Sequence, residues 1–545
     1  MNGTGEKVVV IGAGVGGLAA AIRLASAGRQ VILIEAAARP GGKMRTVPSD
    51  IGPVDAGPTV LTLRHVFDDL FASAGDCLDD HLTLLAQPLL ARHWWPDGSR
   101  LDLFSDPGAS ADAIAAFAGA REAAAFLRFN AATAALYDAF ERPVMLAPAP
   151  HMAGILRAAI TTPRLWPALL PGVSLARFIA LYFRDPRLRQ LFGRYATYVG
   201  GTPARSPAVL SLIWQAEARG VWAVKGGMHA LAAALADLAR RKGVEFRFGT
   251  SALRILRQGG RVSGVQLADG QTVVCDSVVY NGDPAALTMG LLGDAAQSAL
   301  PPSATAPRSL SAQVWSFAAT ACGPVAADLA HHNVFFATNP DQEFGPLQRG
   351  QMPGDPTIYI CAEDRTASHL PGAAERFEII LNAPPVQNKT VQIKPLNDTP
   401  QTPTSVPPGC APDPKEAHLC RIKTFHRLTQ FGLTFTPEPD AASLTTPHLL
   451  AQMYPGSQGA IYGRSPHGAL ASFQRPGART ALPGLYLAGG GCHPGAGVPM
   501  AAMSGKHAAE AMLSDLALTS GSIPTAMPGG MSMVSRMMGR ARFRS

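Results

Sequence analysis

The sequence predicts an α/β protein of more than one domain, with a parallel sheet near its start. Residues 8–11 are an unbroken run of β-branched side chains, typical of a parallel strand that is buried on both faces. A helix rich in Ala and Leu over residues 18–27 and a second strand over residues 31–34 follow it. The 545 residues exceed what one hydrophobic core holds, so we expect two or more domains.

Three glycines between the first strand and its helix fit the pattern G-x-G-x-x-G. Gly12 permits a tight turn, Gly14 lets a pyrophosphate approach the backbone, and Gly17 lets the helix pack against the strand. Glu35 ends the second strand, where an acid accepts hydrogen bonds from a ribose, and its charge disfavours a 2′-phosphate. Glycine-rich turns also occur in purely structural βαβ units. The strand, helix and acid around this one favour dinucleotide binding.

The loop after the second strand bears on which dinucleotide is bound. Gly41 and Gly42 allow close backbone approach, and Lys43 and Arg45 place positive charge near a pyrophosphate. Taken alone, these residues could also form a solvated basic loop. A second glycine-rich segment, residues 489–497, lies between a predicted strand and a helix that starts near Pro499 and Met500. Such a helix N-terminus suits the pyrophosphate or the polar edge of a flavin.

Composition bears on several classes of function. The sequence has no zinc-like cysteine spacing and no aromatic and basic platform, which disfavours nucleic-acid binding. Its seven cysteines are scattered without a CxxC pair, which favours reduced thiols in a cytoplasm-like compartment. We expect no metal site, no spanning helix and, from the six residues before the first strand, no signal peptide.

Two segments bear on membrane association, and the formal net charge is +8. Residues 151–192 combine large apolar side chains with prolines and arginines, a pattern that fits an apolar tunnel, a helix lying on a bilayer, or ordinary core helices. The tail after Gly530 carries four arginines among four methionines, which suits either an anionic membrane surface or a disordered tail. We expect a cytoplasmic protein peripherally associated with the cell membrane.

The domain organisation follows from these segments. We predict a discontinuous nucleotide-binding domain over residues 1–80, 205–285 and 470–518. We predict a mixed α+β domain facing the substrate and the membrane over residues 81–204 and 286–469, with strands at 84–104 and a helix at 109–137. Residues 387–416, rich in Thr, Pro, Asn and Gln, predict a flexible surface insertion, and residues 519–545 a basic Met/Arg-rich tail.

Four longer segments carry a resemblance to a known family. They are "PVDAGPTVLTLRHVFDDLF" (53–71), "RGVWAVKGGMHALAAAL" (219–235), "YPGSQGAIYGRSPHG" (454–468) and "LYLAGGGCHPGAGVPM" (485–500). Together with the opening motif they resemble the flavin amine oxidase and phytoene desaturase superfamily, and within it the bacterial carotenoid desaturases. "GPTVLT" with "GAIYGRSPHG" is most similar to the hydroxyneurosporene or methoxyneurosporene dehydrogenases.

The resemblance implies a Rossmann-like FAD-binding domain joined to an α+β substrate domain. It places Glu35 on the adenosine ribose and Lys43 near the phosphates. The residues implied in cofactor binding are Gly12, Gly14, Gly17, Glu35, Gly42, Lys43, Gly57, Pro58, Thr59, Ala252, Gly489, Gly491, Val498, Pro499 and Met500.

The resemblance also implies an activity. The enzyme would introduce a 3,4 double bond into an acyclic 1-hydroxy or 1-methoxy carotenoid by hydride transfer to FAD, with quinone, oxygen or another acceptor reoxidising the flavin. The alternatives are a phytoene or neurosporene desaturase of broader specificity, an amine oxidase-like flavoenzyme, and a non-catalytic flavoprotein that carries carotenoids.

Individual site residues are less defined. His493 could accept a proton or could orient its loop by a hydrogen bond. Cys492, where the desaturases commonly have threonine, could be a reactive thiol, a flavin attachment point or a small residue in a tight loop. Arg64, His65 and Tyr198 are candidates for contact with the end group of the substrate.

Overall fold

The computed structural model describes residues 6–366, 374–387, 412–468 and 470–520. The strands, numbered in chain order, are β1 Lys7–Ile11, β2 Gln30–Ile34, β3 Thr46–Val47, β4 Val54–Asp55, β5 Leu84–Ala86, β6 Leu89–Trp94, β7 Arg100–Phe104, β8 Trp222–Val224, β9 Glu245–Arg247, β10 Ala252–Gln258, β11 Arg261–Leu267, β12 Thr272–Val274, β13 Ser277–Tyr280, β14 Ser311–Cys322, β15 His332–Phe335, β16 Ile358–Ala362, β17 Glu375–Ala383, β18 Thr434–Thr436, β19 Leu444–Thr445 and β20 Leu485–Leu487.

The helices are numbered in the same way. They are α1 Val15–Ser26, α2 His65–Ser73, α3 Pro107–Ala118, α4 Ala120–Phe140, α5 Met152–Thr161, α6 Trp166–Leu169, α7 Leu175–Ala180, α8 Pro186–Gly193, α9 Ile213–Ala218, α10 Met228–Arg241, α11 Ala285–Thr288, α12 Asp294–Gln297, α13 Pro340–Gln348, α14 Pro414–Gln430, α15 Pro447–Met453 and α16 Val498–Ser520.

A parallel sheet of five strands has the order β20-β13-β1-β2-β9. Its central strand is the apolar run at the start of the chain, and Val8, Val9 and Val10 are fully buried. Helix α1 packs between α10 and α16 beside this sheet, where Ala- and Leu-rich faces allow close contact. The predicted α/β class is confirmed, since β1, α1 and β2 follow one another as expected.

A second sheet of eight strands forms the other half of the molecule. Its order is β18-β14-β17-β16-β15-β6-β7, and β19 also pairs with β14. The pairs are antiparallel except β15 with β6. One face buries an aromatic cluster that includes Trp315, Phe317 and Phe377. Strands from residues 89–104 and 311–445 therefore make one sheet, although about 200 residues separate them.

Three boundaries differ from the expectations. The helix predicted at 109–137 is two helices, α3 and α4, which break at Gly119 with a φ of 93° that favours glycine. Residues 388–411 of the predicted insertion lie outside the described residues, but the end of that segment begins α14, which the Asp413 side chain caps. The predicted tail from residue 521 lies outside the described residues, and α16 runs to Ser520.

Within the described part of the chain, no helix is both long and apolar enough to cross a membrane.

Candidate active site

One large cavity lies at the carboxyl ends of the parallel strands. Its volume is about 1850 Å³. It is lined at one end by Ile11, Glu35 and Tyr280, which end or follow β1, β2 and β13, and at the other by residues of β14, β16 and β17. Pockets for a single small ligand usually measure about 300–1,000 Å³, so this cavity has room for a cofactor and a substrate together. Its position is where open α/β sheets bind their ligands.

The end of the cavity at the parallel sheet is formed largely by glycine backbone. A Cβ at Gly16 would lie 2.6 Å from the Gly489 nitrogen, and one at Gly14 would lie 2.8 Å from Asn281 Nδ2. Any side chain here would fill the space through which the two glycine-rich segments approach each other. Gly17 does not line the cavity, and a Cβ there would lie 2.1 Å from the Gly12 oxygen. Gly17 thus brings α1 against β1, as its place in the motif predicts.

Asn281 joins these glycine segments and lies outside the motifs that predicted the site. It follows β13 and lines the cavity, and its Nδ2 donates to the Gly12 carbonyl at 3.2 Å. Its carboxamide also lies near Gly14, Gly16 and Gly489. The signal was present in "YNGDP", because a side chain that ends a buried strand next to β1 must face the first glycine turn.

Glu35 has the position that a ribose-binding acid requires. Its Oε2 accepts from the Ala13 N–H at 2.6 Å and its Oε1 from the Ala37 N–H at 2.8 Å. Burial raises the pKa of Glu35, and these N–H donors oppose that rise. Because the carboxylate lines the cavity with lone pairs to spare, it can accept bonds from two vicinal hydroxyls.

Lys43 lines the cavity beside this glycine-rich end. Its Nζ donates to the Ile461 carbonyl at 2.7 Å, and burial lowers the pKa of Lys43 to about 8. The Tyr454 hydroxyl donates to the Gly42 carbonyl at 3.0 Å. A Cβ at Gly57 would lie 2.0 Å from the Lys43 oxygen. The two predicted cofactor loops, 42–45 and 57–59, therefore pack directly on each other.

The cavity collects nearly all of the predicted cofactor residues. Those that line it are Gly12, Gly14, Glu35, Gly42, Lys43, Gly57, Pro58, Thr59, Ala252, Gly489, Gly491, Val498, Pro499 and Met500. The last three form the first turn of α16, whose free N–H groups thus open into the cavity. A backbone cradle, a helix N-terminus and a carboxylate are the groups that fit the phosphates and ribose of FAD, with the role of each residue remaining a prediction.

His493 and Cys492 do not line the cavity. His493 Nε2 lies 2.9 Å from the Ala147 carbonyl, and its ring packs against His507 at 6.0 Å between centroids. This placement favours the loop-orienting role of His493 over that of a proton acceptor. Cys492 is buried with its Sγ 3.6 Å from the Ala488 carbonyl, and burial raises the pKa of the thiol to about 12. That environment favours the small structural residue over a reactive thiolate or a flavin attachment point.

The three candidate substrate residues lie in different places. Tyr198 lines the cavity. Arg64 does not, and it pairs with Asp68 and Asp79 at the start of α2. His65 is exposed on the same helix. The helix directs its buried face, with Val66 and Phe67, into the core, so these two polar side chains point away from the cavity, which counts against a substrate role for Arg64 and His65.

One group of side chains has the spacing of metal ligands. His331, His332 and Cys361 have ligand atoms within 4.8 Å of one another. His332 Nδ1 is 2.7 Å from the Tyr359 hydroxyl, and His331 Nδ1 is 3.0 Å from the Ala362 carbonyl. Burial holds the pKa of Cys361 well above its usual value, which disfavours the thiolate that a metal needs. We assign no metal to this group.

The other end of the cavity is lined mainly by apolar side chains. They come from α4, α9, the eight-stranded sheet and the segments between them, and include Tyr137, Phe140, Val209, Leu210, Ile213, Ala216, Val314, Ile380 and Phe473. Such a lining suits a long apolar molecule and excludes water from the space next to the glycine-rich end.

Comparison with known proteins places this fold and site. Residues 15–314 and 428–513 match the family described as flavin containing amine oxidoreductase. An oxidoreductase from Methanosarcina mazei has the same fold, with a TM-score of 0.54 and 16% identity over 92% of this chain and 100% of that one. The cofactor is FAD, and the class defined by fold and site is that of the FAD-dependent oxidoreductases.

Two relatives are far more similar. The hydroxyneurosporene desaturase of Cereibacter sphaeroides is 62% identical over 511 residues, which is 94% of this chain and 98% of that protein. The hydroxyneurosporene desaturase of Rhodobacter capsulatus is 55% identical over 508 residues, 93% of this chain and 98% of that protein. The chain belongs to the flavin-containing amine oxidoreductase family and, within it, to the hydroxyneurosporene desaturases.

Proposed function

We propose that the protein is an FAD-dependent desaturase that introduces a 3,4 double bond into acyclic 1-hydroxy or 1-methoxy carotenoids. The names of its relatives support the substrate class. The observation that carries the proposal is the cavity itself, in which a glycine-lined end of the kind that holds a dinucleotide continues into an end lined by apolar side chains. A long polyene can enter the apolar end and bring its oxygenated end to the cofactor.

The chain contributes binding, orientation and exclusion of water. When bound, the flavin would accept a hydride from one carbon of the C3–C4 bond while the other carbon releases its hydrogen as a proton, and quinone, oxygen or another acceptor would later reoxidise the flavin. Glu35 and the glycine loops hold the nucleotide part, while the walls formed by α9 and β17 hold the polyene. An apolar wall can hold the C3–C4 bond next to the cofactor, so that the reaction becomes effectively unimolecular. This positioning is the main catalytic contribution that such a wall can make.

Product analysis tests this proposal. FAD-loaded enzyme in membranes is supplied in turn with 1-hydroxyneurosporene, 1-methoxyneurosporene and phytoene at equal concentration, with a quinone or oxygen as acceptor. We expect the oxygenated substrates to gain one double bond and to absorb at longer wavelength. Equal or faster desaturation of phytoene would indicate the broader desaturase, and flavin bleaching by amines alone would indicate an amine oxidase. Bound FAD with no bleaching by any substrate would indicate a carotenoid carrier.

We also propose that the protein docks peripherally on an anionic membrane surface through residues 142–184. This segment contains five arginines and no Asp or Glu. Large apolar side chains within it are exposed, and they are Leu146, Leu156, Ile160, Trp166, Leu170 and Leu181. Val144 and Met145, next to Leu146, line the cavity. Exposed apolar groups among arginines suit an anionic bilayer, and a cavity wall beside them would let a carotenoid pass from the lipid.

Liposome flotation tests the docking surface. Ile160→Glu should reduce the bound fraction on anionic vesicles, since it places a negative charge on a side chain that is 67% exposed in this segment. Val274→Glu is the matched control, because Val274 is 68% exposed on β12 in the other half of the molecule. Equal flotation of both variants and the unchanged protein would exclude this surface. A protein that never floats, with or without anionic lipid, would exclude peripheral binding.

A further inference from the structure

A cation sits in the apolar part of the cavity wall. Arg194, which follows α8, lines the cavity, and its Nη1 donates to the Tyr198 hydroxyl at 3.0 Å. The guanidinium carbon lies 5.0 Å from the ring centroid of Tyr198 and 5.5 Å from that of Tyr359. Two aromatic faces therefore fix the plane of the guanidinium. Neither Arg194 nor Tyr359 belongs to a motif that the sequence analysis used.

The hydrogen-bonding capacity of Arg194 is largely unused. A guanidinium has five N–H donors, and the Tyr198 hydroxyl is its one side-chain or backbone acceptor among the described residues. Among the described residues, Glu217 is a carboxylate whose charge acts on Arg194, and the two do not form a direct ion pair. Glu217, the nearby acid, accepts instead from the Tyr195 hydroxyl at 2.7 Å. Because Arg194 is half-buried and lines the cavity, its free donors are available to an oxygen atom on a molecule bound there.

The position of Arg194 relates it to the reacting end of the substrate. Tyr359, beneath the guanidinium, has its hydroxyl 2.7 Å from Thr59 Oγ1, and Thr59 belongs to the segment predicted to bind FAD. His332 Nδ1 lies 2.7 Å from the same hydroxyl and fixes it from the other side. In a 1-oxygenated carotenoid, C3 and C4 are only two and three bonds from the carbon that carries the oxygen. A donor for that oxygen must therefore lie close to the cofactor, and Arg194 contacts Tyr359, which bonds to the segment predicted to bind FAD.

We propose that Arg194 donates hydrogen bonds to the C1 oxygen of the substrate and is the residue that selects an oxygenated end group. This inference rests on the proposed function. A guanidinium only donates, so it can donate to the oxygen of a hydroxyl or of a methoxyl group alike. A hydrocarbon end group would displace water from the remaining donors of the guanidinium and offer them no acceptor, and the enzyme discriminates against it for that reason. Tyr198 is a positioning residue, because its hydroxyl accepts a hydrogen bond from Arg194 Nη1 and so fixes the orientation of the guanidinium.

Substrate comparison with Arg194→Met tests the proposal, because Met keeps much of the length and removes the donors. The value of kcat/KM for 1-hydroxyneurosporene should fall by about 10- to 100-fold, the range expected for a hydrogen bond to a charged group. The value for neurosporene, which lacks the oxygen, should stay the same or rise. Arg194→Lys should retain part of the activity on 1-hydroxyneurosporene, and Tyr198→Phe should raise KM for it by a smaller factor.

Controls separate recognition from folding. FAD content and the unfolding temperature are measured for every variant, and Arg187→Met is the matched control, since Arg187 pairs with Asp185 and does not line the cavity. Equal losses on both carotenoids in Arg194→Met, or no loss on either, would overturn the inference. If the unchanged, FAD-loaded enzyme desaturates neither carotenoid, the proposed function fails, and the inference fails with it. If it desaturates both equally well, selection by Arg194 is excluded while the desaturase function stands.

Discussion

The two ends of the cavity are built in different ways. The end at the parallel sheet is made largely of backbone, where a Cβ at Gly16 would lie 2.6 Å from the Gly489 nitrogen and one at Gly14 would lie 2.8 Å from Asn281 Nδ2. The other end is made of side chains from α4, α9 and the eight-stranded sheet. A backbone wall recognises groups common to every dinucleotide, whereas a side-chain wall is specific to one molecule. Changes at the first end should therefore remove the cofactor, and changes at the second should alter turnover while the cofactor stays.

Gly14→Val should have the largest effect. The Cβ of any residue at this position would lie 2.8 Å from Asn281 Nδ2, and the two methyl groups of Val would extend into the space that a pyrophosphate needs. The purified variant should lack the yellow colour of bound FAD and release no FAD on acid treatment. The flavin spectrum and the acid extract measure this outcome.

The matched control is Gly354→Val. Gly354 is exposed, and a Cβ there would meet nothing within 4 Å. Neither Gly14 nor Gly354 has a positive φ, so the pair isolates the effect of space from that of backbone strain. A Gly14→Val protein that is folded and carries normal FAD would refute the assignment of this end of the cavity, as would binding of NAD in its place.

Ala216→Phe should show the opposite pattern. Ala216 lies on α9 and lines the apolar end, so a phenyl ring there occupies space that the polyene would use. We expect FAD content to stay normal while carotenoid turnover falls by about 100-fold, a loss that a misplacement of about 1 Å can cause. Ala218→Phe, on the same helix but away from the cavity, should keep most of the activity. Loss of FAD in Ala216→Phe would show that the two ends are not separable.

The same contrast explains what the sequence predicts and what it does not. Glycine spacing, a strand end and an acid are local features, and local geometry alone placed Gly12, Gly14 and Glu35 around one cavity. The resemblance to the family predicted Gly57 to Thr59 and Ala252 as cofactor residues, and these line the cavity as well. Close approach of two backbone segments can be recognised in the sequence, because it requires glycine at fixed positions.

The residues of the apolar end do not form a comparable sequence motif. Arg194 and Glu217 lie on neighbouring segments, whereas Tyr359 comes from β16, and all three line the cavity only in the folded structure. Arg64 and His65 were proposed for their place in a family-like segment, but the 3.6-residue period of α2 turns them outward while Val66 and Phe67 enter the core. Polar type and segment alone do not determine the direction of a side chain.

The junction between the two halves offers the smallest and most specific test. Glu363, after β16, accepts from the Asp55 N–H at 2.8 Å, and Asp55 in turn accepts from the Met228 and His229 N–H groups at the start of α10. Glu363 Oε2 has no hydrogen-bond partner among the described residues. Burial, together with the nearby Asp55, raises the pKa of Glu363 to about 8. Glu363 and Asp55 thus share a buried site with Glu378, and Arg376 Nη1 lies 3.8 Å from Glu363 Oε2 and partly offsets their charge.

This junction predicts a dependence of stability on pH. A carboxyl whose pKa is raised to about 8 by folding binds its proton more tightly in the folded state than in the unfolded chain, where the usual value of 4.5 applies. Its contribution to stability is therefore complete below pH 4.5 and is lost as the pH rises through 8.

Glu363→Gln keeps an oxygen for the Asp55 N–H and cannot ionise, so its Tm should fall less between pH 6 and pH 9 than that of the unchanged protein. Glu438→Gln is the control, since Glu438 is half exposed, and it should leave the pH profile as it was. If Tm depends on pH in the same way for Glu363→Gln and for the unchanged protein, Glu363 is already ionised in the folded protein, and no carboxyl proton is held at this junction.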